Sequence, residues 1–360
     1  FLMHSCCIVL FCFFVGCFAV DILPLTINRN YTWYCTGNCD TPAISPISPS
    51  YGVVLMGGST DVDSAFAWMC NKAGGGDWLV LRTSGNGAYN EYIYNICQES
   101  GSPFNSVSTL VLHGRDAAFD DFVVGLTRNA SSLWFAGGDQ WSYYSNWKGS
   151  PLQDAFSKSI YSTRPIGGTS AGNAIMPQYV YTAEFDSATS LISLRNPYSK
   201  EITFGNQFIP SPFLVNTITD THFEARDRMG RLVTFVSRLA QDAWAGIPPN
   251  TSTLLGCSDI RYGARGIGVD ERTALLIDED STSITSWDTD GSVYLLCLDH
   301  LPTLCTHDED LEVSNILVVK LSGNNTNVFN IQNWSVLGND IPQYTLSASN
   351  GHLTSTQKGG

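Results

Sequence analysis

Residues 51–66 read YGVVLMGGSTDVDSAF. Tyr51–Met56 is a short, almost wholly apolar run, as expected of a strand buried on both faces. Gly57-Gly58 turns the chain, and Thr60-Asp61-Val62-Asp63 offers caps for a helix carrying Ala65, Phe66 and Met69. Outward from this unit the same order repeats. Trp78–Leu81 predicts a second strand and Asn90–Gln98 a second helix, and Val107–Leu112 with Asp116–Arg128 gives a third pair. Leu133–Ala136 ends in Gly137-Gly138-Asp139-Gln140, followed by a helical stretch around Leu152–Ser159. Arg164–Ile166 then runs into Gly167-Gly168-Thr169-Ser170-Ala171-Gly172.

Strands alternating with helical segments imply right-handed crossovers, hence an α/β fold: a mostly parallel sheet with helices on both faces. Ligands of such sheets bind at the carboxyl ends of the strands. The glycine turns at 57–58, 137–138 and 167–168 all follow strands, so all three are expected on that one edge. From about Arg265 the pattern becomes apolar runs separated by turn residues, at Thr273–Ile277, Val293–Leu298, Ile316–Leu321 and Val328–Trp334. These predict extra strands in the C-terminal third that complete or extend the sheet. No Pro/Gly/Ser-rich linker separates the halves, so residues 21–346 are expected to form one domain and 347–360 a flexible tail.

At 360 residues and 43% hydrophobic the chain can bury a large core, which excludes disordered and collagen-like classes. The net charge of −14 argues against a nucleic-acid backbone or an anionic membrane surface as partner. Residues 1–20 contain no Asp, Glu, Lys or Arg and predict a signal peptide, with a retained signal anchor as the alternative. Sequons at Asn30, Asn129, Asn250, Asn324 and Asn333 point the same way, to the secretory lumen or the exterior. Outside the leader stand Cys35, Cys39, Cys70, Cys97, Cys257, Cys297 and Cys305. Cys35 with Cys39, and Cys297 with Cys305, are spaced to close small disulfide loops, and an odd count leaves at least one thiol over, expected to be buried and inert.

Gly168-Thr169-Ser170-Ala171-Gly172 fits G-x-S-x-G, a strand-to-helix elbow that pushes a nucleophilic serine into the open. A helix beginning at Ala171 would aim its first amides at the oxyanion formed in acyl transfer, and Gly58 could supply a second donor. A serine needs a base, and His222 follows the apolar run Phe213–Ile218. Thr221-x-x-Glu224 reads as a capping box, so His222 is expected to open a helix running on through Ala225–Asp242. Arg226, one turn later, would share its face, and an arginine there suits a substrate carboxylate. Glu184, Asp186 and Asp220 all remain open as the acid that orients the imidazole.

GGTSAG at 167–172, FAGGDQ at 135–140, MGGSTDVDSAF at 56–66 and DTHFEARDRMGRL at 220–232 together resemble the cyanophycinase and aspartyl-dipeptidase family of serine peptidases. The resemblance spans about residues 51–240, with a weaker likeness through GIGVDERTALLID at 266–278. It implies a class I glutamine-amidotransferase-like, flavodoxin-like three-layer fold. Ser170 then matches the nucleophile, His222 the base, and Asp186, ahead of Glu184, the acid. Gln140 and the trio Arg226, Arg228 and Arg231 match substrate-binding positions. Thr221 stands where the family carries glutamine.

The sequence therefore predicts a secreted serine peptidase for aspartyl, and specifically β-aspartyl, bonds. Ala171 and Gly58 would form its oxyanion hole, no metal or organic cofactor is required, and a homodimer is admitted as its assembly. The rivals are a catalytically inert binding or storage glycoprotein on the same fold and an α/β-hydrolase esterase. The esterase would carry its histidine late, at His300, His307 or His352.

Overall fold

A computed structural model describes residues 23–41, 48–161, 164–209, 211–244, 263–286, 288–298, 300–322, 328–337 and 341–357. The leader, the sequon residues Asn250 and Asn324, and Cys257 lie outside them.

Five parallel strands form the middle of the larger sheet, in the order Ser106–Leu112, Asp77–Arg82, Ser132–Phe135, Pro165–Thr169, Gly52–Met56. The helices Asp63–Ala73 and Ala88–Glu99 bury Phe66, Met69 and Ile93 on one face, against Val54, Trp78 and Trp134. The helices Asp121–Asn129 and Pro151–Tyr161 bury Val123, Leu152 and Phe156 on the other, against Val53, Leu79 and Phe135. The fold is thus three-layered α/β. Antiparallel strands extend both flanks, Tyr31–Gly37 beside Ser106–Leu112 and Ala274–Asp278 beside Gly52–Met56.

Several expectations are corrected. Only some of the later strands extend this sheet: Ala274–Asp278 and Val328–Asn330 do, but Ser292–Cys297 and Val313–Ser322 belong to a second, eight-stranded sheet. At its heart Thr217–Asp220 pairs in parallel with Arg265–Val269, which pairs antiparallel with Ser292–Cys297. The strand Arg265–Val269 escapes a reading by apolar runs because Gly266 and Gly268 interrupt it. Those glycines make room for neighbours: a Cβ on Gly268 would lie 2.6 Å from the Phe223 ring. The helix Met229–Gln241 covers this sheet, with Leu232, Phe235 and Val236 packed among Tyr181, Ile218 and Leu296.

That helix starts at Met229, not at His222. No capping box forms, because the Glu224 amide donates to Asp270 Oδ1 at 2.9 Å. His222 and Asp227 both have φ of +47°, which keeps the intervening segment a turn. The expected helix Asp116–Arg128 likewise splits, into a 3₁₀ turn Arg115–Phe119 and an α-helix capped by Asp120. Residues Gln343–Ser349 and His352–Ser355 form a hairpin at the edge of the second sheet, where a polar tail was expected.

Disulfides join Cys35 to Cys39 and Cys70 to Cys97, the latter linking the first two helices. The expected Cys297–Cys305 bridge is absent: Cys297 is disulfide-bonded, whereas Cys305 is a buried free thiol whose pKa burial pushes up to about 12. No helix among the described residues is long and apolar enough to cross a membrane.

Candidate active site

Ser170 ends the strand Pro165–Thr169 with φ 52° and ψ −118°, and a four-residue helix, Ala171–Ala174, follows it directly. A non-glycine residue in that region is strained, so surrounding contacts must hold it there. The Ser170 amide donates to the Met56 carbonyl at 3.2 Å, and Asn173 Nδ2 donates to the same oxygen at 3.0 Å. Gly167 and Gly168 lie inside the strand and do not form the turn themselves. They are needed for close approach: a Cβ on Gly168 would come within 2.5 Å of the Gly172 backbone, and one on Gly172 within 2.0 Å of the Phe135 carbonyl.

His222 reaches this elbow from the second sheet, two residues past Thr217–Asp220. Its amide donates to the Gly57 carbonyl at 2.8 Å, tying the end of that strand to the first glycine turn of the larger sheet. His222 Nε2 lies 2.8 Å from Ser170 Oγ, and Nδ1 lies 2.6 Å from Glu271 Oε1. With Nδ1–H donating to the carboxylate, Nε2 is left as the acceptor for the serine hydroxyl. Burial, reinforced by Arg226 and Arg228, holds the imidazole below its ordinary pKa, while Glu271 opposes that shift. The hydrogen bond from His222 in turn holds the Glu271 carboxyl below the usual range.

The acid beside His222 is therefore Glu271, where the sequence reading put Asp186. Asp186 is exposed on the loop after Tyr179–Tyr181, and its Oδ1 accepts from the neighbouring Ser187 amide at 2.6 Å. It lines the cavity in front of Ser170 but makes no hydrogen bond with the imidazole, and nor does Glu184. Glu271 was overlooked because the strand before it was. Asp220 pairs with Gly268, so His222 and Glu271 leave adjacent parallel strands on the same edge. The acidic pair Asp270-Glu271 at the end of GIGVDER was the available signal.

The cavity in front of Ser170 measures about 270 Å³ and is lined by Ala171, Gln140 and all three arginines, among others. Gln140 Nε2 donates to the Tyr181 carbonyl at 3.4 Å. Gly58, with φ +105°, lies against the imidazole, and a Cβ there would sit 2.5 Å from its Cε1. The arginines differ sharply from one another. Arg231 is buried and grips Asp220 bidentately, through Nε at 2.6 Å and Nη2 at 2.5 Å. Arg228 donates to the Thr221 carbonyl at 2.6 Å, and burial lowers its pKa to about 10. Arg226 is exposed, and its guanidinium has no hydrogen bond or ion pair among the described residues.

No protein-family model and no curated protein matches the chain. Among solved structures, a peptidase from an acI-B1 actinobacterium is similar at 15% identity and a TM-score of 0.45, over 79% of this chain and 98% of that one. A putative peptidase E protein from Listeria monocytogenes EGD-e is similar at 14% identity and a TM-score of 0.39, over 65% and 97%. These likenesses are distant, and they assign neither an activity nor a substrate.

Proposed function

We propose that this chain is a serine peptidase whose triad is Ser170, His222 and Glu271. The observation that carries the reading is the unbroken relay of 2.8 Å from Ser170 Oγ to His222 Nε2 and 2.6 Å from Nδ1 to Glu271. Ser170 Oγ attacks the scissile carbonyl carbon while its proton passes to His222 Nε2. The C–N bond then breaks as the imidazolium returns that proton to the departing amine, leaving an acyl-enzyme. Water attacks the ester by the same route, with His222 again as base. Glu271 fixes the tautomer and stabilises the imidazolium. The amides of Ala171 and Gly58 receive the oxyanion. The lowered pKa of His222 supports its role, because the base then stays neutral further into the acid range than an ordinary imidazole does.

The substrate we infer is a β-aspartyl peptide, whose free main-chain carboxylate would meet a guanidinium fork. Arg226 is the arginine with its donors open, so it takes that role. Arg231 serves Asp220 instead, and Arg228 donates to the Thr221 carbonyl and lies 3.5 Å from Asp220 Oδ1. Gln140 borders the same cavity. Thr221 is shorter than glutamine, which relaxes the demand for arginine in the leaving residue. We further read the protein as exported. The Cys35–Cys39 and Cys70–Cys97 disulfides suit an oxidising compartment, and the sequon residues Asn129 and Asn333 are exposed, whereas Asn30 is half-buried with its amide donating to Asp120.

The test compares β-Asp-Arg, β-Asp-Lys and α-Asp-Arg dipeptides under one set of conditions. Preference for the two β-linked compounds is expected. A clear preference for α-Asp-Arg overturns the linkage, and strict dependence on arginine overturns the relaxed leaving site. Absence of turnover on all three, by protein with intact tertiary structure, overturns the aspartyl reading.

A further inference from the structure

One carboxylate near Ser170 has no part in the triad. Asp61 follows the Gly57-Gly58 turn, at the carboxyl edge of the larger sheet. Its Oδ2 accepts from the Tyr89 hydroxyl at 2.8 Å, and Tyr89 lies in the first turn of the helix Ala88–Glu99. Among the described residues its Oδ1 is sealed from solvent and has no hydrogen-bond donor. The Thr169 hydroxyl, on the residue immediately before Ser170, is likewise buried and without a hydrogen-bond partner among the described residues. That hydroxyl nevertheless lies close enough to the Asp61 carboxyl to favour its ionised form.

The charged surroundings of Asp61 come from three elements. Asp63, at the start of the helix Asp63–Ala73, disfavours ionisation and itself accepts from the Tyr92 hydroxyl. Arg82, at the end of the strand Asp77–Arg82, favours it. Tyr89 favours it as a donor. Burial outweighs these and raises the carboxyl to about 6. A buried carboxylate with one firm donor is a destabilising group, and such groups are concentrated at functional sites.

We propose that ionised Asp61 is a positioning residue for Ser170. It draws the Thr169 hydroxyl to the open Oδ1 in a charge-assisted hydrogen bond. Tyr89 anchors the other oxygen, so the residue preceding the nucleophile is tied to the neighbouring helix and the strained elbow is held in its reactive conformation. Asp61 touches neither substrate nor the reacting atoms. This role rests on the serine-peptidase reading above.

The sign of the stability effect separates this role from an ordinary structural one. The folded-state pKa of Asp61 lies above its unfolded value, so ionisation destabilises the fold fully above about pH 6. That penalty shrinks as pH falls towards the unfolded carboxylate value of about 3.9. Asp61→Asn is accordingly expected to raise Tm at pH 8, by a margin that narrows between pH 6 and pH 4. On a peptide that the wild type turns over, the same variant is expected to lower kcat about tenfold at pH 8 with KM unchanged, because a displaced Ser170 stabilises the transition state less while substrate binding is untouched. It should also remove the Asp61 component from the acid limb of kcat, leaving that of His222. Thr169→Val should reproduce the fall in kcat, and Thr169→Ser should restore it.

A kcat for Asp61→Asn within twofold of the wild type overturns the proposal, and so does a Tm at pH 8 that falls together with activity. Thr169→Val with wild-type kcat overturns the link through Thr169. Failure of the wild type on every peptide overturns the peptidase reading and this role with it. Wild-type turnover beside an unaltered Asp61→Asn variant removes Asp61 alone.

Discussion

Ser170 and His222 meet at 2.8 Å but belong to different sheets, and the two sheets encode their contributions differently. The larger sheet supplies the serine through a local device. Strand, glycines, serine and short helix are consecutive in the chain, and the close approaches that fix the elbow involve Gly168 and Gly172, each two residues away. The second sheet supplies histidine and glutamate through a long-range device. His222 and Glu271 are 49 residues apart and come together because Thr217–Asp220 and Arg265–Val269 pair in register. A motif can therefore announce the first contribution, whereas only strand pairing delivers the second.

The largest test of this contrast is Ser170→Ala. It should remove turnover by ~10⁴-fold or more while the near-ultraviolet circular dichroism and Tm stay close to wild type, because the hydroxyl contributes little packing. Retained activity in a folded variant breaks the role of the larger sheet.

Asp220→Asn acts on the second sheet. It leaves Arg231 buried without its charged partner and should destabilise the protein by about 3–5 kcal/mol in chemical denaturation. A change below about 1 kcal/mol, the scale of an exposed pair, would mean that this pair does not anchor the strand that leads into His222.

Glu271→Gln should lower kcat by roughly 10²-fold, within the usual range for a general-base assembly. The hydrogen bond that His222 Nδ1 donates to Glu271 raises the His222 pKa, so its loss should also move the acid limb of kcat/KM to lower pH. Asp186→Asn should change kcat by no more than about twofold, as an exposed substitution does. The reverse order of damage would return the acid to the loop after Tyr179–Tyr181 and break the pairing argument.

Arg226→Met gives the finest resolution. Removing this cation, which depresses the His222 pKa, should shift the acid limb to higher pH, and KM for β-aspartyl dipeptides should rise while kcat changes little. An unchanged acid limb would mean that Arg226 does not act on His222, and an unchanged KM would free it from the substrate carboxylate.

The regularity of the first half was legible because its strands are mostly apolar, buried on both faces and alternate with helices. Tyr51–Met56 declares itself through composition alone, and so do Val107–Leu112 and Leu133–Ala136. Legibility fell where glycines replaced apolar residues, as in Arg265–Val269, since a strand packed tightly against Phe223 and Leu232 has to lack side chains at just those points. It fell again at 221–228, where helix-cap spacing suggested a helix start. The backbone turns instead, because Asp270 accepts from the Glu224 amide and the Gly57 carbonyl accepts from that of His222. The arginine trio looked uniform in sequence, yet burial separates a structural Arg231 from an open Arg226.

The sequence by itself determined the α/β alternation, the elbow that presents Ser170 and the pairing of that serine with His222 as the candidate base. Each depends on periodicity, backbone permissiveness or the scarcity of a residue type, and all of these are local or compositional. Only the tertiary structure decided that the later strands divide between two sheets, that Glu271 and not Asp186 stands at His222 Nδ1, and that Arg231 is paired with Asp220. Those outcomes depend on which distant segments share a sheet edge. Register between strands is set by side-chain packing across the whole core, so no single stretch of the chain contains it.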